Sequence, residues 1–162
     1  MICVATVGCG AKTSRTREER QQIIEGLSLS QSVGGIPAWT LKSRLARLRE
    51  DEKTASLEAP AMEFIRKGRV VSRVTALSGE VATDTHNVIL SSSVVLQSYD
   101  DHSILRTQQL NYSSKEGHFF THSDVAIRRP GAVIHGQGLE ATPDLSEIKI
   151  FQQRSVLSGK PH

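Results

Sequence analysis

The sequence predicts an all-β domain built of repeated antiparallel hairpins. Three observations carry the prediction. Apolar and polar residues alternate through most of the chain after Ile36. Turn-forming residues interrupt that alternation at intervals of roughly 10 to 12 residues. One hairpin pattern recurs at a spacing of 29 residues, at Val81-Ala82-Thr83, Leu110-Asn111-Tyr112 and Leu139-Glu140-Ala141.

Composition bounds the reading. The 162 residues suffice for one ordinary domain. With 38% hydrophobic and 23% charged residues, the chain is neither a multi-span membrane protein nor intrinsically disordered. A net charge of +3 and 4% aromatics, with no basic stripe, disfavour nucleic-acid binding. The two cysteines, Cys3 and Cys9, exclude a disulfide scaffold and a Cys-rich zinc site.

The N-terminus opens on an uncharged apolar run, residues 1–10, far short of the roughly 20 residues that span a bilayer. It reads as the remnant of a signal or anchor segment. Thr6-Val7-Gly8-Cys9 resembles a loose lipoprotein cleavage box, making Cys9 a candidate lipidation site; a truncated membrane helix is the alternative. Residues 11–35 are polar and Ser/Gly-rich and read as a linker. Within it, residues 21–25 suit a helical turn or two, and Leu27-Ser28-Leu29-Ser30-Gln31-Ser32 a linker or short edge strand. The domain is expected over 36–156, with a flexible tail at 157–162.

The period becomes 2 from Ile36 onward. Trp39, Leu41, Leu45 and Arg47 fit a long strand closed by a turn at Glu50-Asp51-Glu52, although Leu41, Leu45 and Leu48 also have helical spacing. Leu57 to Phe64 follows as an apolar strand. Val88, Leu90, Val94 and Leu96 share one face, as do Leu110 and Tyr112, then Phe119, Val125 and Ile127, then Ile148 and Ile150. Asp84-Thr85-His86-Asn87, Asp100-Asp101-His102, Ser114-Lys115-Glu116-Gly117, Arg129-Pro130-Gly131 and Thr142-Pro143-Asp144 supply the turns. Turns this short require antiparallel neighbours. The repeat implies stacked strand pairs around one apolar interior. Ser92, Thr121 and Ser123 fall on the same faces as Val, Leu and Phe, which predicts a partly open interior able to hold an apolar ligand.

Five segments together resemble the LptC family of lipopolysaccharide-export proteins. They are Ile36-Pro37-Ala38-Trp39-Thr40-Leu41-Lys42-Ser43, Leu57-Glu58-Ala59-Pro60-Ala61-Met62-Glu63-Phe64, Thr75-Ala76-Leu77-Ser78-Gly79-Glu80-Val81, Leu105-Arg106-Thr107-Gln108-Gln109-Leu110-Asn111-Tyr112 and Val133-Ile134-His135-Gly136-Gln137-Gly138-Leu139-Glu140-Ala141. The resemblance implies an open, V-shaped β-jelly-roll. It implies a periplasmic location attached to the inner membrane through the N-terminus. It implies a conduit that takes lipopolysaccharide from the LptBFG transporter and passes it to LptA, with partners joined edge to edge.

On that reading the lipid groove is lined by Leu57, Phe64, Val81, Leu90, Val94, Leu96, Leu110, Tyr112, Phe119, Val125, Ile127, Leu139, Ile148 and Ile150. The partner edges are a strand at Trp39, Leu41 and Leu45 and a C-terminal strand over 145–153 carrying Lys149 and Phe151. Gly79, Gly136 and Gly138 are structural glycines that permit close backbone approach or twist. Alternatives are an LptA-like bridging protein that polymerises edge to edge, or a β-interaction domain with a filled core.

No enzyme motif or cofactor site is legible. Ser91-Ser92-Ser93 lacks a nucleophile elbow, and no Gly-rich loop precedes a helix. His118 and His122 share a strand face but sit about 13 Å apart, too far for one ion. Arg66-Lys67, Arg69 and Arg128-Arg129 read as solvated turn residues or as contacts for lipid phosphates.

Overall fold

The computed structural model describes residues 21–156. The candidate anchor segment with Cys9, the first part of the expected linker and the tail at 157–162 lie outside the described residues.

Twelve strands form one antiparallel sheet. They are β1 (Gln21–Val33), β2 (Ile36–Arg49), β3 (Thr54–Glu58), β4 (Ala61–Arg66), β5 (Arg69–Thr75), β6 (Ser78–Ala82), β7 (Val88–Ser98), β8 (Ile104–Ser113), β9 (His118–Arg129), β10 (Ala132–Ala141), β11 (Ile148–Ile150) and β12 (Arg154–Val156). β1 pairs with β2, which carries β3 and β4 on its other side. β3 pairs with β6 and β4 with β5, and β7 collects both. β8, β9 and β10 follow in sequence, and β10 takes β11 and β12 at its outer side. The three repeat residues Val81, Leu110 and Leu139 are fully buried, in β6, β8 and β10.

The N-terminal strand corrects two expectations. Residues 21–33 form β1, paired to β2 from Gln21↔Arg49 to Val33↔Ile36, so residues 21–25 are not a helical turn, and of the two readings of residues 27–32 the edge strand holds and the linker does not. Ile24, Leu27 and Leu29 pack against the core, which is what fixes the strand in place.

A single crease crosses the sheet. It passes Gly26 in β1, Ser43 and Arg44 in β2, the β3–β4 break at Ala59, the β5–β6 break at Ala76 and Leu77, and Ser92 and Ser93 in β7. It continues through the register shifts of β8 and β10 to the β11–β12 break. Gly26, Ala59, Ser92, Ser93, Gly138 and Gln152 all have positive φ, between 44° and 86°. A bulge bends its strand and flips the inward face. In β2 the buried side chains run Trp39, Leu41, Ser43 and then Ala46. Bulges aligned across neighbouring strands turn the sheet over on itself and give the open β-jelly-roll.

The crease explains the hydroxyl residues. Ser43 Oγ lies 2.8 Å from the carbonyl oxygens of both Leu45 and Glu58 and shares its one proton between them. Thr107 Oγ1 donates to the Asp124 carbonyl at 2.8 Å, and Thr121 Oγ1 accepts from the Ser123 amide at 3.1 Å. A bend leaves ladder groups unpaired, and a buried unpaired carbonyl is costly. The Thr121 hydroxyl therefore serves the backbone, and Ser92 is exposed at its bulge. The Thr121 hydroxyl and the exposed Ser92 are thus explained by the crease rather than by space inside the sheet.

Candidate functional site

The sheet gathers most of the expected groove residues into one interior. Leu57, Phe64, Val81, Leu90, Val94, Leu96, Leu110, Tyr112, Phe119, Val125, Ile127 and Leu139 belong to one core, and none exceeds 5% exposure. Ile148 and Ile150 are half-buried at its rim, packed against it from β11. The alternation read from the sequence is visible in adjacent pairs: Phe119 is fully buried and Phe120 exposed.

One end of this interior is open. Trp39 in β2 and Phe64 in β4 meet Tyr112 in β8 and Phe119 in β9, although these strand pairs share no backbone ladder. The ring centroids lie 5.1 Å apart for Phe64 and Tyr112, 5.3 Å for Phe64 and Phe119, and 6.0 Å for Trp39 and Tyr112. Edge-on packing suits the ring quadrupoles. A cavity of about 440 Å³ opens against Trp39, Phe64, Val71 and Tyr112, with Arg66, Asp144 and Glu147 at its polar side. Burial raises the Tyr112 pKa above its usual value, so its hydroxyl is neutral at physiological pH.

Residues 142–147, between β10 and β11, form the remaining wall. Leu145 is fully buried although its backbone is left-handed, at φ 58°. Its amide donates to the Thr142 carbonyl at 2.9 Å, and Arg129 Nη2 donates to its carbonyl at 3.2 Å. Asp144 ties the loop to the opposite side. Its carboxylate accepts from Arg66 Nη1 at 2.6 Å, from Thr142 Oγ1 at 2.8 Å, and from the Ser146 amide and hydroxyl at 3.1 and 2.7 Å. Its carbonyl accepts from Ser98 Oγ at 2.8 Å. Burial pushes the Asp144 pKa up, but the bonds from Ser146, Thr142 and Arg66 outweigh it and hold the carboxyl at about 2. The sequence showed only a turn at Thr142-Pro143-Asp144. The available signal was Leu145, one apolar residue in an otherwise polar turn.

The basic residues divide. Arg66 Nη2 and Arg69 Nη2 reach Asp100 at 2.7 and 3.0 Å. Arg129 serves the loop, while Lys67 and Arg128 are exposed. Among the described residues, no group of three His, Cys, Asp or Glu side chains is placed to hold a metal ion.

The N-terminal edge differs from expectation. β2 is paired on both sides, so Trp39, Leu41 and Leu45 do not form an edge. Trp39 and Leu41 are core residues, at 2% and 0% exposure. The outer strand is β1, which the sequence hid behind serines and Gly26. At the other side the expected strand over 145–153 shrinks to β11, Ile148–Ile150, and a separate strand, β12, follows at Arg154–Val156. Lys149 lies in β11 with its ammonium 5.2 Å from the centre of the Phe151 ring, and Phe151 follows in the break. Phe151 exchanges backbone bonds with Gln137 and Gly138. A Cβ on Gly136 would collide with Ile150 Cγ2, and one on Gly138 would lie 3.2 Å from the Phe151 ring. On Gly79 it would sit 2.8 Å from the Ile89 carbonyl oxygen.

Compared with known proteins, residues 9–156 match the family model described as "Lipopolysaccharide-assembly, LptC-related". No curated protein matches the sequence.

Proposed function

The chain belongs to the LptC-related lipopolysaccharide-assembly family, a family of periplasmic envelope components in lipopolysaccharide transport, and from that membership we propose that it receives lipopolysaccharide from the inner-membrane LptBFG transporter and passes it to an LptA-like protein. The acyl chains travel through the interior bounded by Phe64, Leu110, Tyr112 and Phe119. Moving one methylene out of water is worth about 0.8 kcal/mol, so a multiply acylated lipid needs a continuous apolar path across the periplasm. The observation that carries the reading is the single apolar interior that opens at the aromatic cluster into a cavity of about 440 Å³. No reaction is assigned to the chain; the driving energy comes from ATP hydrolysis at the transporter.

Strand addition supplies the joints. β1 and the β11–β12 side are the outer strands of the sheet, and an unpaired edge is a template for a partner strand. The transporter takes β1 and the LptA-like protein takes the β11–β12 side. The same two edges support a second reading, a bridging protein that polymerises head to tail. Among the described residues no helix is long and apolar enough to cross a membrane. Attachment to the inner membrane is placed on the N-terminal side of β1, with Cys9 as the candidate lipidation site.

The test is photocrosslinking to lipopolysaccharide from neighbouring positions. Leu110 and Phe119 face the interior, whereas Phe120 is exposed and Asn111 half-buried. Adducts from Leu110 and Phe119, with few from Asn111 and Phe120, are expected. Adducts from neither face would mean a permanently filled core and would end the lipid reading. Sedimentation as a concentration-dependent series of oligomers would favour the bridging protein.

A further inference from the structure

The loop at residues 142–147 walls the aromatic cavity on one side and buries Leu145 in the core, and its construction is unlike that of the other turns. It spans two sides of the fold that share no ladder: Asp144 reaches Arg66 at the end of β4, and the Asp144 and Leu145 carbonyls are held by Ser98 of β7 and Arg129 of β9. It drives a leucine fully into the interior at φ 58°, a backbone region that a Cβ disfavours. The aromatic-walled cavity lies directly against it. A polar loop with one buried apolar side chain, a strained backbone and exchangeable polar ties has the parts of a reversible closure.

We propose that residues 142–147 are a strap that separates the aromatic cavity from the core, with Leu145 as its plug and the Arg66–Asp144 pair as its latch, and that an acylated, phosphate-bearing amphiphile opens it. This rests on the lipopolysaccharide reading above. An acyl chain takes the place of the Leu145 side chain in the core. A phosphate takes the place of Asp144 on Arg66, whose two Nη atoms already hold two separate carboxylates, those of Asp100 and Asp144. Guanidinium forks accept phosphate and carboxylate alike, so the exchange preserves the charge pairing. The strap keeps the interior dry when empty and yields only to a ligand carrying both chemistries.

Two measurements on the full chain test this. Hydrogen exchange at the Leu145 amide reports opening of the strap, with the Ile127 amide as the core reference. Asp144→Asn is expected to speed Leu145 exchange about tenfold or more and leave Ile127 unchanged, since bonds to a charged group are worth about 1.5 to 3 kcal/mol. Arg66→Gln breaks the same latch from the other side and should act alike. Unchanged Leu145 exchange in both variants overturns the strap, whatever lipid the wild type binds. The second measurement is photocrosslinking to purified lipopolysaccharide from a benzoylphenylalanine at Tyr112. The adduct yield should rise severalfold in Asp144→Asn. Fast exchange with wild-type adducts that do not increase would show a loop that moves but gates nothing. Fast exchange with no adduct in any form would sink the lipid reading and the gate with it.

Discussion

Asp144 sits among four donors contributed by Arg66, Thr142 and Ser146, with Asp100 sharing Arg66 and Arg129 holding the next carbonyl. Its folded pKa of about 2 lies below the ordinary 3.8. The sign follows: the carboxylate stabilises the fold fully above 3.8, and the contribution is lost as pH falls toward 2. A shift of this size corresponds to roughly 2 kcal/mol. Asp144→Asn should therefore be less stable than wild type in urea at pH 7, with the gap closing near pH 2. An equal gap at both pH values would show that the charge contributes nothing. Gly79 is a second single-atom matter. A Cβ there would press on the Ile89 carbonyl oxygen at 2.8 Å and on Pro60 Cγ at 3.2 Å, inside the β6–β7 ladder. Gly79→Ala should cost about 1–3 kcal/mol by overpacking, read as a lower urea midpoint at unchanged slope.

At the scale of elements, the crease decides the architecture, and its hydroxyls are its fastenings. The one hydroxyl proton of Ser43 is shared by two carbonyls, those of Leu45 and Glu58. Ser43→Ala would leave both without that donor at a position 5% exposed. The expected loss is about 1–3 kcal/mol, well beyond the few tenths of an ordinary surface change, and Ser43→Thr should recover part of it. Alternation was legible where its parity survives: in β7 Val88, Leu90, Val94 and Leu96 all reach the core, because the crease at Ser92 and Ser93 takes two residues and leaves the parity unchanged. The crease itself was not legible. A bulge shifts the inward face by one residue, so Leu45, grouped with Trp39 and Leu41 in the sequence, is only half-buried while Ala46 is buried. β1 was legible only as a candidate short edge strand at residues 27–32, for the same reason. Gly26 breaks its parity between Ile24 and Leu27, and its outward positions are serines and glutamines that read as linker. Leu145 was missed because a turn normally buries nothing; only the tertiary ties from Arg66, Ser98 and Arg129 make its burial profitable.

At the scale of the molecule, one sheet and one core serve two opposite edges, so each edge can be altered without the other. Ile23 lies on β1, is 59% exposed and pairs with Arg47 of β2. A lysine there adds a charge to the outer strand while removing almost no buried area. Charged side chains on edge strands obstruct strand addition, which is how natural sheets protect themselves. Ile23→Lys should thus leave stability within about 0.5 kcal/mol of wild type. If the transporter adds its strand at β1, the substitution should weaken co-purification with LptBFG severalfold and leave capture of the LptA-like protein unchanged. A charge reversal at Lys149→Glu on β11 should do the opposite, since β11 carries the other edge. Loss of both partners from either variant would mean that the two edges do not act separately. Loss of neither would mean that the joints do not use these strands at all. A polymerising bridge gives a third pattern: either variant alone would halt growth, and an equimolar mixture of the two would stop at dimers, because each then keeps one working edge.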